Sequence, residues 1–350
     1  MSKSIWDVKK VSYNKVGTKN KASFPQEFID ICKMTQEDLK IYLMRELVNY
    51  YDPNSMELGD GYLIAKGDCP VVLTAHMDTV HKEPVKTYWG NINEKGQHII
   101  SSDEGIGGDD RCGVYMILNI LATTELKPTI IFCEDEEIGG VGSSKFVMRD
   151  MELEGIKFFI ELDRANGNDL VFYDDANEEF HDWCEEITGY RENFGSFSDI
   201  SNLCPHYGIS GVNISCGYYN AHTTNEYVIL EEMFNGIDAA VKLMNAATEL
   251  EEPFEYKRYK PTYSSYSSYY GSSYGKDWDK WFDRVSTTAT EKKKVTAETF
   301  TVEAIFYYLD EHYNEIEETV EADSKLGAIA IFLMNHPEMR WADVLDYEFL

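Results

Sequence analysis

No two cysteines of this sequence stand at C-x-x-C spacing, and the seven present (32, 69, 112, 133, 184, 204 and 216) are an odd number lying singly. That argues against a disulfide framework and against a thiolate zinc site. Within runs such as Ile131-Phe132-Cys133 the residue reads as a small buried hydrophobe. Basic residues are scarce as well: 32 Lys and Arg against 62 Asp and Glu give a formal net charge of −30. Phosphate backbones and anionic lipids need surplus cations, so neither nucleic acid nor membrane is expected as a partner, and the surplus acid reads as solvated surface. Long apolar runs are also lacking. None reaches membrane-spanning length, and the opening MSKSIWDVKK has no apolar signal-peptide core. The expectation is a reduced, soluble, cytoplasmic protein.

What is present is alternation. Pro25 to Tyr51 has helical spacing and divides into two helices at Thr35, whose Asp38 three residues on marks a fresh cap. Met56 to Lys66 reads as a hairpin around Gly59-Asp60-Gly61. Strand-like runs follow at 71–75, 129–133, 158–162 and 212–216, alternating with helical patterns at 112–123, 143–149, 176–188 and 230–250. This order predicts an α/β three-layer sandwich on a mostly parallel central sheet. Composition shifts near Glu251. Residues 1–250 are read as one main domain, 251–294 as a Tyr/Ser-rich linker, and 295–350 as a small helical module. The stretch 256–350 is a candidate surface for a protein partner or self-association.

The informative feature is an ordered series at the ends of the strand-like runs: His76-Met77-Asp78, Asp109-Asp110, Glu136-Glu137, Asp163 and His222. In parallel sheets, ligands gather outside the carboxyl ends of the strands, so one sheet edge would receive them all. Singly, each has an ordinary reading: an acidic turn, a loop, a helix cap or a surface histidine. As a set they supply imidazoles and carboxylates enough to hold two divalent ions.

The motifs LTAHMDTVH (73–81), GIGGDDRCG (105–113), EDEEIGGVGS (134–143), FIELD (159–163) and NAHTTNEY (220–227) resemble those of the co-catalytic di-zinc peptidases, the superfamily of aminopeptidases, peptidase T and zinc carboxypeptidases. The resemblance covers about residues 71–250. It implies that His76 and Asp163 bind one metal, Glu137 and His222 the other, and that Asp109 bridges them. It further implies that Asp78 orients His76, that Glu136 is the general base, and that the Asp109–Asp110 peptide is cis. Two divalent ions are implied as cofactors, zinc first, with cobalt or manganese as alternatives. A peptide is the implied substrate and aminopeptidase action the implied activity, with carboxypeptidase or deacylase action and a catalytically silent metal-stabilised scaffold as alternatives. The intervals His76 to Asp109 and Asp163 to His222 are too short for the domains that many relatives insert there, so a lidless form is expected. Weaker candidates are Asp199 as a polar residue near the substrate, Tyr218 and Tyr219 as oxyanion donors, and His81 and Arg111; Cys112 is expected in the core.

Overall fold

A computed structural model of the chain describes residues 25–259, the segments 302–309, 315–322 and 344–349, and the single positions 332 and 336. The expected arm at 1–24 and most of the Tyr/Ser-rich tract lie outside the described residues.

Two helices come first, α1 (Gln26–Cys32) and α2 (Gln36–Leu47), split where the sequence places the cap: the Thr35 side chain accepts from the Asp38 amide at 3.1 Å. Strands β1 (Met56–Gly59) and β2 (Tyr62–Ala65) form the hairpin. Strand β3 (Cys69–His76) is followed by the short β4 (Trp89–Ile92) and β5 (His98–Ser101), then by α3 (Gly108–Thr123). Next come β6 (Pro128–Cys133), α4 (Val141–Arg149), β7 (Phe158–Arg164), β8 (Asp169–Val171), α5 (Glu178–Thr188), β9 (Arg191–Glu192), α6 (Ile200–Tyr207) and β10 (Gly211–Ser215). Two short strands, β11 (Tyr218–Tyr219) and β12 (Tyr227–Ile229), lead into α7 (Leu230–Ala247).

The central sheet has eight strands in the order β1-β2-β6-β3-β7-β10-β8-β9. At its heart β6, β3, β7 and β10 run parallel, with antiparallel pairing on either side. Strands covered on both faces should be continuously apolar. Here Leu73, Ile130, Phe132 and Ile160 enter one core with α1, α3, α5 and α7, while Val72, Ile131, Cys133 and Phe159 enter a second with α4 and α6. The three-layer α/β expectation holds.

A second antiparallel sheet, β11-β12-β5-β4, stands beside the cluster residues and had no clear sequence signal: its strands are short, and Trp89, Asn91 and Ile92 are exposed. Beyond Leu250 the chain stays against the domain as far as Tyr259. Phe254 packs among Phe158, Phe180 and Trp183, and the Tyr256 amide donates to the Gly208 carbonyl.

The helical module expected over 295–350 is corrected where that stretch is described. Strands β13 (Val302–Leu309), β14 (Glu315–Ala322) and β15 (Val344–Phe349) pair as an antiparallel sheet in the order β14-β13-β15. Glutamates give β14 a helical propensity, but its burial alternates: Ile316 and Val320 turn inward, Glu317, Thr319 and Glu321 outward. Period-two alternation suits a half-buried strand, and packing overrides propensity.

Candidate metal centre

Strand β3 lies between β6 and β7, all three parallel, so their carboxyl ends open on one edge. His76 ends β3 and is fully buried. Its Nδ1 faces Asp78 Oδ1 at 3.1 Å. Asp78 also accepts the amide protons of Glu136 (3.0 Å) and Glu137 (3.1 Å). An ionised carboxylate can only accept, so Nδ1 donates to Asp78 and Nε2 is the ring nitrogen turned toward Asp109.

After β6 the backbone turns sharply. Asp135 has φ 58°, Gly139 φ 108° and Gly140 φ 63°, and the amides of Gly139 and Gly140 both donate to the Glu136 carbonyl. This fold-back, which the two glycines after Ile138 permit, carries Glu136 and Glu137 to the sheet edge.

Asp109 enters from the start of α3, where it and Asp110 depart from helical geometry and their shared peptide is cis. Its two oxygens diverge. Oδ1 is 3.2 Å from His76 Nε2, and Oδ2 is 3.1 Å from His222 Nε2. On the first side Asp163 Oδ1 comes within 3.5 Å of His76 Nε2. On the other, Glu137 Oε2 lies 3.0 Å from His222 Nε2. Asp163 is fixed in turn by Ser198, whose hydroxyl donates to Oδ2 at 2.8 Å, by its own amide on Asn213 Oδ1, and by the Tyr218 hydroxyl on its carbonyl oxygen.

These spacings suit metal coordination. Ligand atoms around a tetrahedral zinc with bonds of roughly 2.0–2.1 Å stand about 3.3 Å apart. By these contacts the side chains fall into two groups that share Asp109, one with His76 and Asp163 and one with His222 and Glu137, and ligand atoms of His76, Asp109 and Glu137 also lie within 4.8 Å of one another. The electrostatics agree. No lysine or arginine among the described residues pairs with Asp109, Asp163 or Glu137, and Glu137 Oε1 is buried without a hydrogen-bond partner. Burial, joined by Asp163, Asp199 and Asp109 against the pull of His76, pushes Glu136 up to about 9. Burial and then Asp109 push Glu137 to about 7 and Asp163 to about 6. Its hydrogen bond to Asp109 raises His222 to about 9. Burial disfavours the His76 cation, yet Asp163, Asp109 and Asp78 raise it well above the imidazole range. Crowded acids that bind protons for want of a cation are a set that divalent ions would relieve.

The weaker candidates resolve variously. Tyr218 is buried and its hydroxyl is committed to Asp163, whereas Tyr219 stacks on Tyr227 and bonds Glu232. Asp199 stands at the start of α6 without capping it, fully buried. Arg111 and Cys112 are buried, and His81 faces Glu226. Asp110 comes within ligand reach of His76 and Asp163, but its oxygens already accept the amides of His76 (3.1 Å) and Gly113 (2.9 Å). It anchors the backbone. Sequence reading passed over Ser198, Asn213 and Glu226, because a single polar residue beside a strand carries no distinctive pattern.

Residues 63–199 match the model of peptidase family M28. The matched stretch contains His76, Asp109, Glu136, Glu137 and Asp163 of the cluster. Among solved structures, the aminopeptidase PepT of Bacillus cereus superposes with a TM-score of 0.51 at 15% identity, over 64% of this chain and 97% of that one. A tripeptidase of Staphylococcus aureus gives 0.50 at 12% identity, over 64% and 98%. At such identities the likeness is one of fold. No curated protein matches the sequence. Family match and fold together support a metal-dependent peptidase. No helix among the described residues is long and apolar enough to cross a membrane.

Proposed function

We propose that the chain is a metal-dependent exopeptidase, an aminopeptidase acting on short peptides, with zinc as the first choice of ion and cobalt or manganese as substitutes. The observation that carries this reading is the division of Asp109 between two imidazoles, Oδ1 toward His76 and Oδ2 toward His222. A carboxylate placed so can bridge two ions, and each side has one carboxylate of its own, Asp163 or Glu137. Bound divalent ions would supply Lewis-acid polarisation of the scissile carbonyl and a lowered pKa for the attacking water.

The remaining work falls to this chain's side chains. Asp78 holds His76 in the tautomer that leaves Nε2 free and, by accepting two amides, holds the turn that carries the base. Glu136 takes the proton of the attacking water on its carboxylate and passes it to the leaving amine nitrogen. Its elevated affinity for protons suits that relay, and a neighbouring dication would lower it toward the working range.

The same reading takes residues 1–250 as the catalytic unit, with 251–259 packed against it, and leaves the rest of 251–294 and 295–350 as appendages available to a partner or a second copy. A reduced, cytoplasmic setting is supported by seven cysteines that are all buried and unpaired.

The test is hydrolysis of one short peptide by the zinc-loaded chain in free, N-acetylated and C-amidated forms, beside Glu136→Gln. Cleavage that survives amidation and fails on acetylation is the expected result. The reverse pattern makes the protein a carboxypeptidase. Absence of any Glu136-dependent cleavage moves the reading to a deacylase or to a metal-stabilised scaffold.

A further inference from the structure

Glu226 is fully buried, yet the reaction outlined above gives it no task. Its carboxylate has three partners. Oε2 accepts from the Gly107 amide at 2.8 Å and faces His81 Nε2 at 3.1 Å, while Oε1 accepts from the Asp109 amide at 3.0 Å. A buried carboxylate is costly unless its oxygens are met by donors, and here both are. Glu226 sits four residues after His222 in the loop between β11 and β12, and it grips the backbone of the bridging Asp109 itself.

The two halves of the cage are supported unequally. The inner half, His76 and Asp163, belongs to strands β3 and β7 and is braced by Asp78, Ser198, Asn213 and Tyr218. None of those braces passes through Glu226, whose one bond to the inner set is to the backbone amide of the shared Asp109. The outer half depends on His222, a loop residue with φ 64° whose side chain is 55% exposed, and on Glu137, one of whose oxygens has no partner. The distance from His222 to Asp109 is therefore set by how the 220–226 loop is tied to the 107–109 backbone. Glu226 is that tie. Around it, Gly108 packs so closely on Tyr218 and Val228 that an added Cβ would lie 2.8 Å and 2.9 Å from them, which keeps the two segments in register.

We propose that Glu226 is the positioning residue of the outer cation site, formed by Asp109, Glu137 and His222, and that its loss weakens this site selectively. The inference rests on the two-ion reading above and adds an asymmetry to it. The inner ion is held by the sheet, the outer one through a buried carboxylate that touches no metal.

Zinc titration by calorimetry of the chelator-stripped full chain tests this directly, comparing wild type with Glu226→Gln. The amide keeps the shape of the side chain but sets an NH2 against one backbone N–H. Two binding steps are expected for wild type. In the variant the weaker step should loosen by about 10–100-fold, the range for a lost outer-shell partner, with the tighter step unchanged. Two steps weakened equally, or neither weakened, would overturn the proposal while leaving the two-ion reading intact. A wild type showing a single step overturns the two-ion reading, and this proposal with it. Should Glu226→Gln lose its native circular dichroism, His81→Phe removes one partner and spares both amides. It should loosen only the weaker step, by several-fold, and equal loosening of both counts against the proposal.

Discussion

Asp78 holds Glu136 by its backbone: the Glu136 amide donates to Asp78 Oδ1 at 3.0 Å, the oxygen that also faces His76 Nδ1. One carboxylate thus sets both the tautomer of a ligand and the position of the base. Asp78→Asn keeps the shape but presents one oxygen where two are needed. We expect kcat for the best peptide to fall by about 10–100-fold with the unfolding midpoint nearly unchanged. Steady-state kinetics beside a thermal melt check this, and a loss of activity that merely tracks a loss of folded protein would count against it.

The metal-free protein should lose stability as pH rises. Glu137, Asp163 and Glu136 titrate near 7, 6 and 9 in the fold, above the ordinary carboxyl range. Between their unfolded and folded values the native state holds more protons than the unfolded one, so stability falls with pH across that window. His222, raised to about 9, acts with the same sign: its contribution is complete below the usual imidazole value and is lost as pH climbs through 9. Zinc reverses the trend, because it binds the deprotonated ligands. Melting temperatures in chelator should decline from pH 5 to pH 9, while the increment from added zinc grows. A chelated protein that becomes more stable over that range would refute the account.

Gly113 has a steric task. A Cβ there would lie 1.7 Å from the Leu162 carbonyl oxygen and 2.6 Å from both Asp110 carboxylate oxygens. Helix α3 can approach β7 this closely only because the side chain is missing, and the approach sets Asp109 beside Asp163. Gly113→Ala should cost about 1–3 kcal/mol or more by overpacking, read as a lower urea midpoint with an unchanged slope. A neutral substitution would mean that the helix shifts freely, and zinc affinity would then fall in place of stability.

Tyr218 closes the inner half from above, its hydroxyl 2.9 Å from the Asp163 carbonyl and 3.3 Å from Oδ1. Tyr218→Phe removes that one donor. We expect a loss of about 0.5–1.5 kcal/mol in stability and a few-fold weaker zinc binding, with KM for peptide unchanged. A raised KM at constant zinc affinity would instead mark the hydroxyl as a substrate contact.

Much of this arrangement was legible because two signals coincide. His76 and Asp163 end or nearly end apolar runs that are buried on both faces, so hydrophobic pattern and chemical residue point to the same strand end. Thr35 and Gly139-Gly140 announce their turns by local rules that hold without tertiary context. What could not be read depends on partners distant in sequence. Glu226 stands before Tyr227-Val228-Ile229 with no local mark of burial, and its three partners lie more than a hundred residues away. The exposed strand β4 lacks the alternation that would separate it from a loop. For β14 the expectation is part of a helical module, and only the burial of Ile316 and Val320 on one face shows the strand.

The seven thiols are buried without exception, and they are spread through the layers: Cys32 in α1, Cys112 in α3, Cys184 in α5, Cys204 in α6, Cys69 and Cys133 on the sheet, and Cys216 just past β10. The folded chain should therefore be inert to alkylating reagents, and each position becomes reactive only when its own layer opens. Mass mapping of slowly labelled cysteines would read out the order in which the layers part, with no probe introduced. Cys133 and Cys112, close in sequence to Glu136 and Asp109, would report on the sheet edge, Cys184 on the far helices.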